Sequence, residues 1–400
     1  MRFSHTADCH LGGHRDPTLR ELGARAFATF VDGSIAAKVD FAIIAGDLFN
    51  AAIPGIDALK AAVTHLSRLR DAGIPVYAIG GSHDASPGGK SMLDVLERAG
   101  LLSDVGQGEE RDGRWAPRVV TDAKTGALLT GVPGRMGMLD HDLYSGIAVP
   151  QRAIFLFHTA IAEIHDLPGA LPASALPKGC VCYAGGHVHE PGVHDLPGIG
   201  KVGYPGPLFP NSFSELEQLG HGGYLLWEDG NATWRPVDLA PVVRVRIDAT
   251  GETPATLGQL IRERLSGRLE GTIITLRIEG TLASGSPADI DLREAARLAA
   301  GARALLRNTA RLTAPSLAPA STLRSEEPLD VEAEEIAAHR DQLALPGKDG
   351  ASLARALLAA LARESQDGEK QHEYRDSVVS AALRAFDDSR KDSTQERREV

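Results

Sequence analysis

The sequence predicts an α/β fold: two mixed β-sheets flanked by helices, then a smaller α/β unit and C-terminal helices. Three observations predict it. Apolar runs of strand length alternate with stretches whose apolar residues recur at helical spacing, through roughly the first third of the chain. Gly- and His/Asp-bearing turns close one strand-like run after another. After Gln151 the helical stretches give way to strand-like runs separated by Gly- and Pro-rich turns, the pattern of a second, mixed sheet. The length, 400 residues, exceeds what one hydrophobic core usually supports, so two or three domains are expected.

Residues 2–7 read as a first strand, and 19–38 as a helix with Leu22, Ala26, Phe30 and Ile35 on one side. Residues 39–45 are a continuous apolar run ending at Gly46-Asp47, which suits a strand buried on both faces. Residues 56–71 are helical again, with Leu59, Val63, Leu66 and Leu69 in one stripe and Gly73 placed to cap the end. Residues 75–79 form a third strand and 91–98 a short helix. Further strands are expected near 119–120 and 127–132. Residues 153–157 form a strand ending at His158, and 181–184 another ending at Gly185-Gly186-His187. Segments 224–227 and 232–236 flank Glu228-Asp229-Gly230-Asn231, a hairpin signal assigned with the second sheet. The first domain then ends near 240.

Residues 242–313 read as a small α/β unit: strands at 242–247, 273–278 and 304–307, helices at 257–265 and 292–298. A linker is expected over 314–350, where Pro, Ser, Ala and Thr concentrate, then a helical region over 351–387 with amphipathic stretches at 353–361 and 374–386. The tail 388–400 has little to bury and is expected to be disordered.

Ligands in open α/β sheets bind beyond the carboxyl ends of the strands. Asp8, His10, Asp47, Ser82, His83, Asp84, His158, His187 and His189 all fall there. Each piece alone has an ordinary reading. A D-x-H tripeptide is common by chance, G-D is usually a turn, H-x-H suits a surface pair, and a lone histidine is more often packed. All of them at strand ends in one chain are a different matter. Two carboxylates and four imidazoles make a mixed N/O donor set for Mn²⁺, Fe²⁺ or Zn²⁺, and exceed what one cation requires. Two cations bridged by a carboxylate account for the number, and such pairs clamp phosphoryl displacement.

The order D-x-H, G-D, G-x-H-D, H, G-H-x-H resembles that of the calcineurin-like metallophosphoesterases. Within that superfamily the chain resembles the SbcD-type nucleases of double-strand-break repair. The resemblance rests on Phe3-Ser4-His5-Thr6-Ala7-Asp8-Cys9-His10-Leu11-Gly12, Asp47-Leu48-Phe49, Tyr204-Pro205-Gly206, Phe213-Ser214-Glu215-Leu216-Glu217 and Gly222-Gly223-Tyr224. Its motifs cover about residues 1–240; 241–313 matches a capping domain by element order, and the C-terminal helices match by position. It implies an α+β sandwich with two divalent metal ions, most often Mn²⁺. Asp8, His10 and His189 would hold the first, Asp47 would bridge, and His158 and His187 would hold the second. His83 would act beside the scissile phosphate with Asp84 orienting it, and a water activated by the metals would attack phosphorus. The family's Asn before the catalytic His is here Ser82, a shorter and weaker ligand, which bears on second-metal affinity. The His that the family often places after D-L-F is here Asn50, able to donate a hydrogen bond but not to shuttle a proton. Asn50 and His14 are the expected substrate contacts. His5 and His14 flank the first motif, and an ordinary surface role stands open for both.

The resemblance implies a Mn²⁺-dependent exo/endonuclease acting on double-strand DNA ends, homodimeric and coupled to an SbcC-like coiled-coil ABC ATPase bound by the C-terminal helices. Helices 19–38 and 56–71 are candidate dimer elements and read equally well as sheet-covering helices. A small-molecule or protein phosphoesterase would share the metals but has no use for the appended domains. A weakly active scaffold subunit would bind metal poorly. The net charge, −11, speaks against coating of nucleic acid by the whole surface but does not exclude a nucleic-acid enzyme. The three cysteines fit a reducing cytoplasm rather than a disulfide framework. Cys180 and Cys182 are expected to pack on one face of a strand, and Cys9 to point away from the polar cluster. No apolar run approaches a membrane span, and the N-terminus lacks a signal-peptide pattern, so a cytoplasmic, nucleoid-associated protein is expected.

Overall fold

A computed structural model describes residues 1–85, 91–111, 114–135, 141–165, 167–267, 269–314, 350–361 and 377–384. Residues Met1–Ala314 form one compact unit and Pro315–Val400 a second.

The chain begins with β1 (Arg2–Thr6), α1 (Pro17–Ala36), β2 (Phe41–Ala45), α2 (Ile56–Asp71), β3 (Val76–Ile79), α3 (Met92–Arg98) and β4 (Ser103–Asp104). The four strands pair in parallel in that order. Asp16 caps α1 by accepting from Thr18 N and Leu19 N at 2.8 and 3.1 Å, with Pro17 pre-set for the first turn. The buried side of α1 carries Leu19, Leu22, Ala26, Phe27, Phe30 and Val31. Gly73 follows α2 at φ +71°, the left-handed position that a helix end requires. The α2 stripe is rotated from expectation: Ala58, Ala62, Leu66 and Leu69 are buried, while Val63 faces solvent.

A two-stranded hairpin, β5 (Gly108–Arg111) and β6 (Arg114–Pro117), precedes the second sheet. That sheet contains β7 (Val120–Thr121), β8 (Leu128–Val132), β9 (Ile154–His158), β10 (Cys182–Gly186), β11 (Gly192–Leu196) and β12 (Gly200–Tyr204), ordered β11-β12-β10-β9-β8-β7. It therefore starts before Gln151, and it draws two strands from a segment whose Gly and Pro content signalled only turns. After α4 (Phe213–Gln218), the hairpin β13 (Gly222–Glu228) and β14 (Asn231–Val237) joins the first sheet instead of the second, with β13 antiparallel to β1. Pairing with β1 places Trp227 opposite Phe3, and the two rings stack at 5.7 Å.

Phe3, Ile43, Ile79, Ile154, Leu156, Cys182 and Trp227 fill the space between the sheets. Helices α1–α3 cover the outer face of the first sheet through a separate core. This is why β2 is buried at every position. Cys180 and Cys182 do not share a face. Cys182 lies between the sheets, and Cys180, just before β10, packs on the far side of the second sheet. Cys9 points into the core under α1, away from the polar cluster as expected.

The remainder of the first unit is β15 (Val242–Asp248), α5 (Pro254–Arg264), β16 (Ile273–Thr281), α6 (Leu292–Leu298), β17 (Ala304–Asn308) and β18 (Leu312–Thr313). Its strands pair in parallel around their own core, and it contains neither His nor Cys. In the second unit α7 (Gly350–Leu361) and residues 377–384 are helical. The expected linker, from 315 to 349, and the tail 388–400 lie outside the described residues, as do Tyr374 and Phe386.

Candidate metal centre

Parallel pairing aligns the carboxyl ends of β1, β2, β9 and β10, so the loops leaving them meet at one edge of the sandwich. Four of the residues there adopt positive φ without being glycine: Asp8 (+50°), His10 (+42°), Asp47 (+51°) and His187 (+79°). This left-handed region is costly for side-chain-bearing residues and concentrates at functional sites. The turns are locked to each other: Asp8 N donates to Gly46 O at 3.1 Å, and His10 N to Asp47 O at 3.0 Å. Gly46 has φ +92°, and a Cβ there would lie 2.1 Å from His158 Nδ1. Only glycine lets β2 turn this close to the imidazole.

The floor of the site is Asp8, Asp47 and His158, all buried, with one donor atom from each within 4.8 Å of the others. His158 Nε2 lies 3.3 Å from Asp47 Oδ2 and 3.9 Å from Asp8 Oδ1. His158 Nδ1 donates to Ala45 O at 2.8 Å, which leaves Nε2 as the ligating nitrogen. A second group, Asp8, His10 and His189, adjoins the first, with the two Nε2 atoms 3.3 Å apart. A third joins Asp47 to His10 and His83. Asp8 and Asp47 thus each belong to two groups, as a bridging carboxylate would. A cavity of about 690 Å³ opens over them, lined among others by Ser82, His83, His187 and Asn211.

Burial by itself would raise the Asp47 carboxyl and lower the His158 imidazole. Their mutual attraction overrides burial, holding Asp47 far below the carboxylate range and His158 up at about 9. His189 follows the same pattern. Burial opposes its charge, but Asp8 and Glu215 push it up to about 10, while Glu215 falls to about 2. Asp84 goes the other way, raised to about 6 by burial and by the charge of Asp47.

The donor chemistry fits divalent cations. His158 Nε2 is a buried nitrogen without a hydrogen-bond partner, aimed at two carboxylates, and the neighbouring donors are a mixed N/O set.

Most of the residues expected from sequence converge here, though not all with the expected contacts. Ser82 Oγ lies 3.4 Å from Asp47 Oδ2, so its hydroxyl does reach the site. His187 lines the cavity 5.4 Å from the His158 ring, and its backbone N–H donates to both Asp8 oxygens at 3.0 and 3.1 Å. Its exposed ring lies outside the three tight donor groups. Asp84 does not hydrogen-bond the His83 ring. It accepts from Leu48 N, Phe49 N and Gly81 N at 3.2, 2.9 and 3.0 Å, because a buried carboxylate between two turns finds backbone donors nearer than the ring. His83 Nδ1 donates instead to the backbone carbonyl of Asn50 at 3.0 Å. The side-chain oxygen of Asn50 accepts from Asn211 at 3.3 Å. Neither Asn50 nor His14 lines the cavity; His14 Nε2 donates to Pro210 O at 2.9 Å. His5 is neither at the surface nor among the residues that line the cavity. It is wholly buried, and its Nδ1 accepts from the Trp227 indole at 3.4 Å.

Sequence reasoning missed Glu215, whose Oε1 lies 3.1 Å from His189 Nδ1 and holds Nε2 toward Asp8. The signal was present: Ser212-x-x-Glu215 opens α4, Ser212 Oγ accepting from Glu215 N at 3.2 Å.

The calcineurin-like phosphoesterase family model matches residues 1–191. The DNA double-strand break repair protein Mre11 of Archaeoglobus fulgidus is 30% identical over 241 residues, 55% of this chain and 52% of that protein. The protein of the same description from Methanopyrus kandleri is 30% identical over 235 residues, 54% and 51% of the two chains. The chain thus spans about half the length of these curated relatives. Among solved structures, a dimetal phosphatase from Danio rerio aligns at a TM-score of 0.39 and 14% identity, over 60% of this chain and 97% of that one.

Proposed function

We propose, from the match of residues 1–191 to the calcineurin-like phosphoesterase family model, that this chain hydrolyses phosphodiester bonds at or near double-strand DNA ends in DNA break repair. Two divalent cations would serve it, manganese by preference. The observation that carries the reading is Asp47. One carboxylate lies between a floor group containing His158 and a group containing His10 and His83, under an open cavity. The names of the curated relatives favour DNA over other phosphoesters.

When bound, the cations would supply charge neutralisation at the phosphoryl oxygens and would lower the pKa of a water. The chain's residues do the rest. Asp8 and Asp47 hold a compact negative floor. His158 is held by Ala45 O so that Nε2 faces it, and His189 is held by Glu215. His187 completes the ligand set from the rim, with Ser82 as an additional weak donor. His83, anchored through Nδ1, keeps Nε2 for the phosphate or for the leaving oxygen. Asp84 ties the 46–50 and 80–84 turns together, which keeps His83 over Asp47. Of the two expected substrate contacts, Asn50 is tied through its side-chain oxygen to Asn211, which lines the cavity.

Residues 241–313 act as a capping domain in this reading, and the chain works as a homodimer with a coiled-coil ABC ATPase in the cytoplasm, at the nucleoid. Leu358, Val379 and Leu383, exposed apolar residues on α7 and on 377–384, support docking of the C-terminal helices to that partner. Among the described residues no helix is long and apolar enough to cross a membrane.

The test incubates the purified chain with end-labelled linear duplex DNA and Mn²⁺, with and without EDTA, beside His83→Ala. Metal-dependent shortening that the variant loses is the expected result. Intact DNA with hydrolysis of bis-p-nitrophenyl phosphate would keep the metal reading and overturn the DNA assignment for the isolated chain. Inertness on both would overturn the enzyme.

A further inference from the structure

Helix α4 is held from two sides. It has only six residues, about a turn and a half, too short to persist without tertiary support. On one side Glu215 meets His189 at 3.1 Å. Two residues on, and so about 200° round the helix, Glu217 points away from the cavity. Its carboxylate takes both a 2.9 and a 3.2 Å hydrogen bond from Nε of Arg277, in the middle of β16. Both side chains are nearly buried, 11% and 14% exposed. The same guanidinium lies over the ring of Phe213, 4.9 Å from its centroid, so Arg277 grips α4 at its first residue and again one turn later.

We propose that Arg277 is a positioning residue for the metal centre: by clamping α4 onto the small-domain sheet it holds Glu215 against His189, and so fixes the imidazole that faces Asp8. Two acidic side chains on opposite sides of one short helix join a strand of the 242–313 unit to a ligand at the end of β10. Leu216, between them, is fully buried and gives the helix a pivot in the core under α1. A shift of α4 by the length of one hydrogen bond would free His189 Nδ1 and let the ring turn. The inference rests on the metal reading for its consequence, but the link from Arg277 to His189 exists without metal.

The test uses the full chain with ¹⁵N-labelled histidine. In the metal-free protein the Nδ1–H proton of His189 gives a hydrogen-bonded signal, assigned by its loss in His189→Asn. Arg277→Met together with Glu217→Gln removes both charges at once and leaves neither buried alone. The expected result is broadening or loss of that signal and about tenfold weaker Mn²⁺ binding, the size of effect typical when a ligand's supporting partner is lost. In a Glu215→Ala background the pair of substitutions should weaken binding no further, because the path is already cut. Arg246→Ala, which removes an exposed pair with Glu279, should change neither readout. An unchanged His189 signal, or losses that multiply with Glu215→Ala, would overturn the proposal. Failure of the wild-type chain to bind Mn²⁺ would overturn the metal reading, and with it the proposal's consequence, while the proton signal still reports the link itself.

Discussion

The floor and the rim of the pocket are built differently. Asp8, Asp47 and His158 are buried, stand directly at the ends of β1, β2 and β9, and are held by backbone contacts to neighbouring turns. His83, His187 and His189 are partly or fully exposed, and two of them take their orientation from elsewhere, His83 from Asn50 and His189 from Glu215. The difference separates two tasks. A buried floor of close carboxylates is a permanent charge well, created by the sheet itself. The rim must meet a substrate, so it stays open and relies on support from separate loops and from α4.

The largest effect should come from the floor. Asp47→Ala removes one of the two carboxylates shared between donor groups and leaves the buried His158 without its nearer counter-charge. Mn²⁺ binding measured by calorimetry and phosphodiesterase turnover should both be lost; retained stoichiometric binding of two ions would break the distinction. His83→Ala should split the two readouts, with metal binding unchanged and turnover down by roughly 10²–10⁴-fold, the range for a general acid or base. A parallel loss of metal would move His83 from the rim to the floor.

Glu215→Gln should weaken metal binding by about 10–100-fold while the floor still binds; an unchanged affinity would show that His189 needs no support. The pH dependence sharpens the same contrast. Without metal, His158 and His189 titrate near 9 and 10, above the ordinary imidazole value, so both are charged at neutral pH. Metal must displace those protons, so affinity should rise as pH climbs from about 6.5 toward 9–10 and binding should release protons at pH 7. The stability of the metal-free protein should run the opposite way. Each raised imidazole stabilises the fold fully below about 6.5, and the contribution is lost as pH rises through its folded value. A melting temperature that climbs with pH across that window would contradict the assigned charges. The smallest effect belongs to Ser82→Asn, which should tighten the weaker Mn²⁺ site by about tenfold, since a longer amide oxygen reaches further than a hydroxyl already 3.4 Å from Asp47. No change in the binding isotherm would place Ser82 outside the ligand set.

The sequence by itself determined the strand-and-helix rhythm of residues 1–135, the order of strands and helices over 242–308, and the positions of the floor residues at strand ends. Those follow from local rules: apolar periodicity, glycine at tight turns, and polar residues where a buried strand ends. Helix 56–71 and the strand end at His158 were legible for that reason. Only the tertiary structure decided where the β13–β14 hairpin pairs, because the partner of an amphipathic hairpin is set by which sheet edge is open, and β1 offered one. It also decided what Asp84 does. A buried carboxylate takes whatever donors surround it, and here these are the amides of Leu48, Phe49 and Gly81, brought together by parallel pairing of β2 and β3. Glu215 and Arg277 lie about 26 and 88 positions beyond His189 in the chain, a separation no local pattern spans. Their connection to His189 exists because one short helix carries Glu215 toward that imidazole and Glu217 toward a distant strand.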